Sequence, residues 1–319
     1  IIFERSNKII RSTKPDVILT FNSRFAITKP ILEAAKLNKV KIFSHERGSV
    51  LNKYEIFKGD MFDQGYASKH IETYWKKETN LLKKNNIAEK YFKKIKNKSY
   101  FKKIGFNYDD FNKKKIKFDK NKKIITYFCT TDYEHQAISN KIKRFYINKN
   151  WSEQINTINS ITKIIKNDPD ILFLIKAHPN FIRAKELENK IKKIKYKNIK
   201  YISASDRIDS IHLIKNSDII FTFGSSLELY SAYCEKKVFS FFKSWWYNFN
   251  IVIYPRNNSD LKKLIYTNKK WFNKFKYFEP LDHSKGFFKD RSINHYGPLI
   301  NYMLNFNKMY SLFKKLVTQ

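Results

Sequence analysis

Cysteine is nearly missing: the 319 residues hold two, Cys129 and Cys234, far apart and outside any CxxC spacing. That count excludes a disulfide framework, and the spacing offers no zinc or redox site. Both lie beside apolar stretches and are expected as buried thiols, which suits a reducing cytoplasm. Long apolar runs are missing too. With no stretch of about 18 such residues, no membrane-spanning helix is expected. The opening Ile1-Ile-Phe-Glu-Arg5 has neither an initiator Met nor the charged-then-apolar layout of a signal peptide. It reads as the middle of a helix, so a preceding N-terminal piece of the native protein is expected. No HExxH, P-loop or GxGxxG occurs, and the remaining histidines, His70, His212, His283 and His295, have no metal-ligand spacing. Asp168-Pro-Asp170 spells DxD but precedes its strand, which makes it a helix-to-strand loop.

Acid is scarce relative to base. The formal charge is +35, an excess that admits nucleic acid or anionic lipid as a partner. Yet only nine of the 64 cations are Arg, and Lys is spread along the whole chain among many Asn and Ile. That pattern suits an AT-rich genome, and it leaves few guanidinium groups for bidentate phosphate or guanine reading. Nucleic acid is therefore not expected as a partner, and an anionic membrane surface stays open. What is plentiful is apolar: 42% hydrophobic with 17% aromatic residues describes a folded chain, and its length favours two domains.

Along the chain, residues 1–13 read as helix, broken at Lys14-Pro15. Asp16–Phe21 is a short apolar run of buried-strand length, Pro30 suits the first turn of a helix reaching Leu37, and Val40–Ser44 is the next strand. This strand–helix–strand alternation indicates an α/β layered fold. Residues 67–101 read as a Lys-rich helical stretch, and 102–121 as the linker. A second alternation follows: strands near 123–128, 171–176, 199–202, 218–223 and 238–241, helices near 151–166, 183–195, 208–216 and 227–234, and a last helix over 292–318. The expected domains are 1–115, 122–290 and a returning helix within 291–319, the two halves being two copies of one architecture.

In parallel α/β sheets, ligands bind outside the carboxyl ends of the strands, and each polar cluster falls there. Lys176-Ala-His178-Pro179-Asn180 ends a strand; a Lys and a His two apart on extended backbone share a side, and could offer a cation and a ring N–H to phosphate oxygens, with the Asn180 amide beside them. Gly224-Ser225-Ser226-Leu-Glu228 is a strand-to-helix turn, where Gly lets backbone approach a ligand, hydroxyls donate and Glu228 is placed for ribose hydroxyls. The same residues equally suit an N-cap with a first-turn acid. Thr130-Thr131, with Asp132 and Glu134 after them, follows the first strand of the second half and offers hydroxyls to phosphate. In the first half, Asn22-Ser23-Arg24 and His45-Glu46-Arg47-Gly48 end neighbouring strands. Glu46 or His45 could take a proton from an acceptor hydroxyl; Arg24 and Arg47 suit a substrate carboxylate or phosphate, or a buried Glu–Arg pair.

The order FNSRFA, HERGS, YFCTTDYEHQAI, a helix with Gln154, LIKAHPNF and DIIFTFGSSLELYSAY resembles the capsular-polysaccharide-synthesis transferases over about residues 15–245. These are related to the capsule Kdo transferases and, more distantly, to teichoic-acid glycerophosphotransferases. The resemblance implies a GT-B fold: two Rossmann-like domains with parallel sheets facing across a cleft, and a last helix packing back on the first. It also implies metal-independent transfer from a nucleotide-activated donor, CMP- or UDP-linked, held by His178, Ser225, Ser226 and Glu228, with no cofactor. The acceptor would be a glycan or lipid-linked glycan, and the location cytoplasmic, at the inner face of the membrane. The chain departs from the family in Thr130-Thr131, where Ser-Ser is expected, and in Leu227-Glu228-Leu-Tyr in place of Gly-x-Glu-Ala. Two other readings stand beside the transferase: a CDP-polyol phosphotransferase, and a non-catalytic basic module binding membrane or polysaccharide.

Overall fold

Helix α1 (Ile2–Thr13) stops where Lys14 takes left-handed backbone and Pro15 cannot extend it. The structure, a computed structural model, describes residues 1–47, 54–60, 68–69, 73, 79–97, 113–131, 146–179, 185–244, 246–247 and 251–267. Strand β1 (Val17–Phe21), helix α2 (Thr28–Leu37) and strand β2 (Lys41–Arg47) follow. Leu32, Ala34 and Ala35 of α2 bury against Ile10 and Ile42 as one small core. β1 and β2 pair in parallel, with Phe21 opposite His45.

Two expectations need correction here. β2 does not stop at Ser44 but runs on through His45, Glu46 and Arg47, because strand β3 (Tyr54–Lys58) pairs with it antiparallel and satisfies that backbone. The first sheet, in order β1-β2-β3, is therefore mixed rather than parallel, and it is not a copy of the second.

The second sheet is parallel throughout, in order β6-β5-β4-β7-β8. Its strands are β4 (Lys123–Phe128), β5 (Ile171–Lys176), β6 (Ile199–Ile202), β7 (Ile219–Thr222) and β8 (Lys237–Ser240). They are near-continuous Ile/Phe runs because both faces are covered. On one face Ile158, Ile161 and Ile165, at helical spacing along Gln154–Ile165, meet Phe173, Phe221 and Phe239. On the other face Ile124, Leu174 and Ile220 meet the helices Ser210–Asn216 and Leu227–Tyr233. Each such aromatic or aliphatic side chain contributes about 1.5–3 kcal/mol by burial.

The helix Leu81–Lys96 belongs to this second core: Phe92, fully buried, stacks on Tyr233 with ring centroids 4.0 Å apart. Helices are numbered in chain order, so these are α3 (Leu81–Lys96), α4 (Gln154–Ile165), α5 (Lys185–Lys192), α6 (Ser210–Asn216), α7 (Leu227–Tyr233) and α8 (Asn258–Tyr266). Of the expected linker, residues 113–121 are described; most are exposed, but Ile116 and Phe118 pack half-buried against the second core. Lys114 bridges Ile208, and the Ile116 carbonyl lies 2.8 Å from the His212 ring nitrogen. The expected helix over 292–318 lies outside the described residues. No helix among the described residues is long and apolar enough to cross a membrane.

Candidate functional site

The chain enters the second sheet at its centre. It runs outward from β4 to β5 and β6, then returns to β7 and β8 on the other side. The reversal puts a topological switch point between the carboxyl ends of β4 and β7, where such sheets open a crevice for a ligand. Thr130-Thr131 stands on one side of it and Gly224-Ser225-Ser226 on the other.

The β4 side is anchored. The fully buried Gln154 amide accepts from the Thr130 N–H and donates to the Thr130 carbonyl, each at 2.7 Å, and the Thr130 hydroxyl donates to the Phe223 carbonyl at 3.2 Å. Thr130, expected as a phosphate ligand, thus has its backbone and hydroxyl committed to structure. Thr131 differs: its hydroxyl is buried and makes no hydrogen bond among the described residues. On the β7 side, Gly224 takes φ 74, a left-handed turn that a side chain would strain. Ser225 accepts the Leu227 N–H on its hydroxyl at 3.2 Å. The N–H groups of Ser225 and the exposed Ser226 have no hydrogen-bond acceptor among the described residues.

Lys176 ends β5, one strand from β4, to which it is joined by the Cys129 N–H on its carbonyl at 2.9 Å. Its side chain is 3% exposed and has no ion pair or hydrogen bond among the described residues. Burial lowers its pKa to about 8, against the smaller opposing effects of Asp206 and Cys129. His178, two residues on, is half-buried. Asn180, Asp132 and Glu134 lie outside the described residues.

Glu228 is not where the ribose reading needs it. It is fully buried, and its carboxylate accepts from the Thr222 hydroxyl, from the Ser244 hydroxyl at 2.8 Å and from the Trp246 indole N–H at 2.7 Å. Burial raises its pKa, and these donors oppose the rise. The bulky Leu227-Glu228-Leu-Tyr turn aims this side chain into the core. There it ties the Gly224 turn to the 244–246 segment. Gln154 was marked in the sequence only through the resemblance, and Thr222, Ser244 and Trp246 had no signal of their own, since each contributes only through the partner it meets in the fold.

The first sheet presents a second group. Asn22, buried at the end of β1, holds left-handed backbone (φ 43), a conformation Asn tolerates better than most residues. Its N–H donates to the His45 carbonyl at 2.9 Å, and its side-chain amide donates to the Glu46 carboxylate. Successive strand residues face opposite ways. Glu46 accordingly meets Asn22, while the His45 ring lies against Phe21, centroids 5.3 Å apart. Burial lowers the His45 pKa, opposed by Glu46. Ser23 donates to Asp60 at 2.5 Å and Lys29 pairs with the same carboxylate at 3.1 Å, which fixes the turn. Arg24 is half-buried in that turn. Arg47 is the last residue of β2, opposite Tyr54; its side chain and Gly48 are outside the described set. Among the described residues no group of three His, Cys, Asp or Glu could hold a metal ion.

No family model and no curated protein matches the chain. Solved structures do. Thermosulfurimonas dismutans KpsC, as β-Kdo 2,4-transferase, aligns at a TM-score of 0.52 and 14% identity over 79% of each chain. The β-Kdo 2,7-transferase of the same organism's KpsC aligns at 0.50 and 12% identity, over 82% of this chain and 78% of that one. The wall teichoic acid polymerase TagF overlaps at a TM-score of 0.34 and 18% identity, over 56% of this chain and 44% of its own, too loosely to carry an argument. The fold is that of the KpsC transferases, the GT-B-like pairing of Rossmann-like units expected from the resemblance to capsule Kdo transferases.

Proposed function

We propose that this chain is a glycosyltransferase that moves a sugar from a nucleotide-activated donor to a growing surface glycan of the capsular or lipopolysaccharide type. The observation that carries the reading is Lys176: a buried ammonium at a strand's carboxyl end, with no carboxylate in ion-pair reach among the described residues. A charge so placed is expensive to leave uncompensated, and an anion entering the crevice supplies the compensation. The unbonded Thr131 hydroxyl and the N–H groups of Ser225 and Ser226 would add neutral donors to the same anion. A nucleotide sugar, CMP- or UDP-linked, fits that set, and KpsC, with which the fold is shared, is a Kdo transferase.

In this reading the acceptor hydroxyl attacks the anomeric carbon, the bond from that carbon to the donor phosphate breaks, and the nucleotide leaves carrying the electron pair. Lys176, His178 and the Ser225–Ser226 amides stabilise its growing negative charge. The acceptor's proton passes to Glu46, ahead of His45; Asn22 holds the Glu46 carboxylate in place. Arg24 and Arg47 bind an acid group of the acceptor, and no metal takes part. The acceptor is a glycan or lipid-linked glycan met at the inner face of the cytoplasmic membrane.

The test is donor turnover in His178→Ala. A fall of about 100-fold or more is expected from losing one donor to the leaving phosphate, and unchanged turnover would sink the assignment. Mass spectrometry of the product decides the bond broken, because transfer of a polyol phosphate from a CDP-linked donor leaves phosphate in the product. Thermal-shift titration with CMP, UDP, GDP and CDP names the base, and no shift with any of them would leave only a non-catalytic module.

A further inference from the structure

Outside every cluster described so far, the second unit carries a cavity of about 330 Å3 lined by Asn148, Asn150, Trp151, Asn257, Asn258 and Ser259. Its volume is at the small end of the range of about 300–1,000 Å3 usual for small-molecule sites. The walls are held without a ligand. Asn148 donates its amide to the Arg256 carbonyl at 2.8 Å, joining segments 108 residues apart, and accepts the Asn150 N–H at 2.9 Å. The other wall is the start of α8, capped by Asn257, which accepts the Asp260 N–H at 2.8 Å. Trp151, 1% exposed, is fixed by its indole N–H on the Ser160 hydroxyl at 3.0 Å and by an edge-on contact with Phe241 at 4.9 Å.

The polar groups left over set the chemistry. The amides of Asn150 and Asn258, the NH2 group of Asn257 and the Ser259 hydroxyl are exposed and make no hydrogen bond among the described residues. An amide offers a donor and an acceptor side by side, which matches neighbouring hydroxyls on a sugar ring. All six lining residues are uncharged, in a chain of net charge +35. The lining itself offers an anion no cation.

The place also matters. Tyr146 bridges Phe242 just beyond β8, and its ring lies 6.3 Å from that of Phe223, the residue before Gly224. The cavity therefore lies toward the same carboxyl edge of the sheet as the crevice, on its β8 side.

We propose that this cavity is a second saccharide site, which binds neutral sugar units of a glycan apart from the donor. The inference rests on the proposed function for its ligand class alone. The test is side-chain amide NMR of the full chain titrated with maltotriose and chitotriose, with glucose 6-phosphate as the anionic control and UDP and CMP, in separate titrations, as donor competitors.

Saturable shifts of the Asn150 and Asn258 amides with a neutral trisaccharide are expected, unchanged by excess UDP or CMP. In Asn150→Ala/Asn258→Ala the affinity is expected to fall about tenfold or more, which corresponds to about 1.4 kcal/mol. Both positions are exposed, so retained amide dispersion checks that the variant is folded. No saturable shift with either trisaccharide, unchanged affinity in the double variant, preference for glucose 6-phosphate, or displacement by UDP or CMP would each overturn the proposal. Failure of the donor reading has a different signature, namely no binding of either CMP or UDP while trisaccharide binding persists.

Discussion

At the scale of single residues, the described structure places two ionisable groups in the interior for opposite ends. Glu228 is surrounded by three donors from two segments, so its burial is compensated from within. Lys176 is not. Its pKa of about 8 in the folded chain, against an ordinary 10.5, corresponds to about 3 kcal/mol of lost stability when it is charged. A base with a lowered folded pKa imposes that loss in full below about pH 8, and the loss fades as pH rises toward 10.5, where the unfolded chain also gives up its proton. Chemical denaturation of the ligand-free protein should accordingly show stability rising between those values, and Lys176→Met should remove the rise. That variant is also expected to be more stable at pH 7, by up to about 3 kcal/mol, while donor affinity falls. Calorimetry with and without nucleotide reads both. Glu228→Ala is expected to destabilise by about 3 kcal/mol or more, because Thr222, Ser244 and Trp246 would each lose their acceptor. Glu228→Gln keeps an acceptor for most of them, and a urea titration should find it intermediate.

At the scale of elements, the anchor of the site is the Gln154–Thr130 pairing, in which the first residue of α4 closes both backbone groups at the end of β4. Gln154→Ala leaves a buried N–H and C=O without partners and is expected to lower stability by about 1–3 kcal/mol per group. Hydrogen exchange at Thr130 should rise with it. The parallel strands of the second sheet were legible because both their faces are buried, so the apolar runs are continuous. The helices between them were legible from period and breakers, as at Ile158, Ile161 and Ile165. β3 was not, because an antiparallel partner that prolongs β2 past Ser44 leaves no mark on β2 itself. Of the candidate site, the crevice followed from strand ends alone. The sequence could not tell which polar side chains face it: Thr130 and Thr131 look alike as letters, yet one is bonded inward and the other is left over.

At the scale of the molecule, a charge of +35 over 319 residues makes a field that neighbouring anionic surfaces feel. If the acceptor is met at a membrane, sedimentation with vesicles rich in anionic lipid should fall steeply as ionic strength passes the point where the Debye length drops below about 10 Å. Binding indifferent to salt would remove the charge from the account of how this chain meets its acceptor. Helix α3, rich in Lys, is held against the unit that carries the crevice by Phe92 stacked on Tyr233.

The buried ammonium at the end of β5 has a consequence for anyone improving this protein. Directed selection for heat resistance or for soluble yield, run without a nucleotide, rewards whatever empties that position of charge. Lys176 is therefore expected among the early losses in such a library, and the hardiest clones would be the inactive ones. Adding donor during selection reverses the incentive, since the bound anion turns the same lysine into an asset.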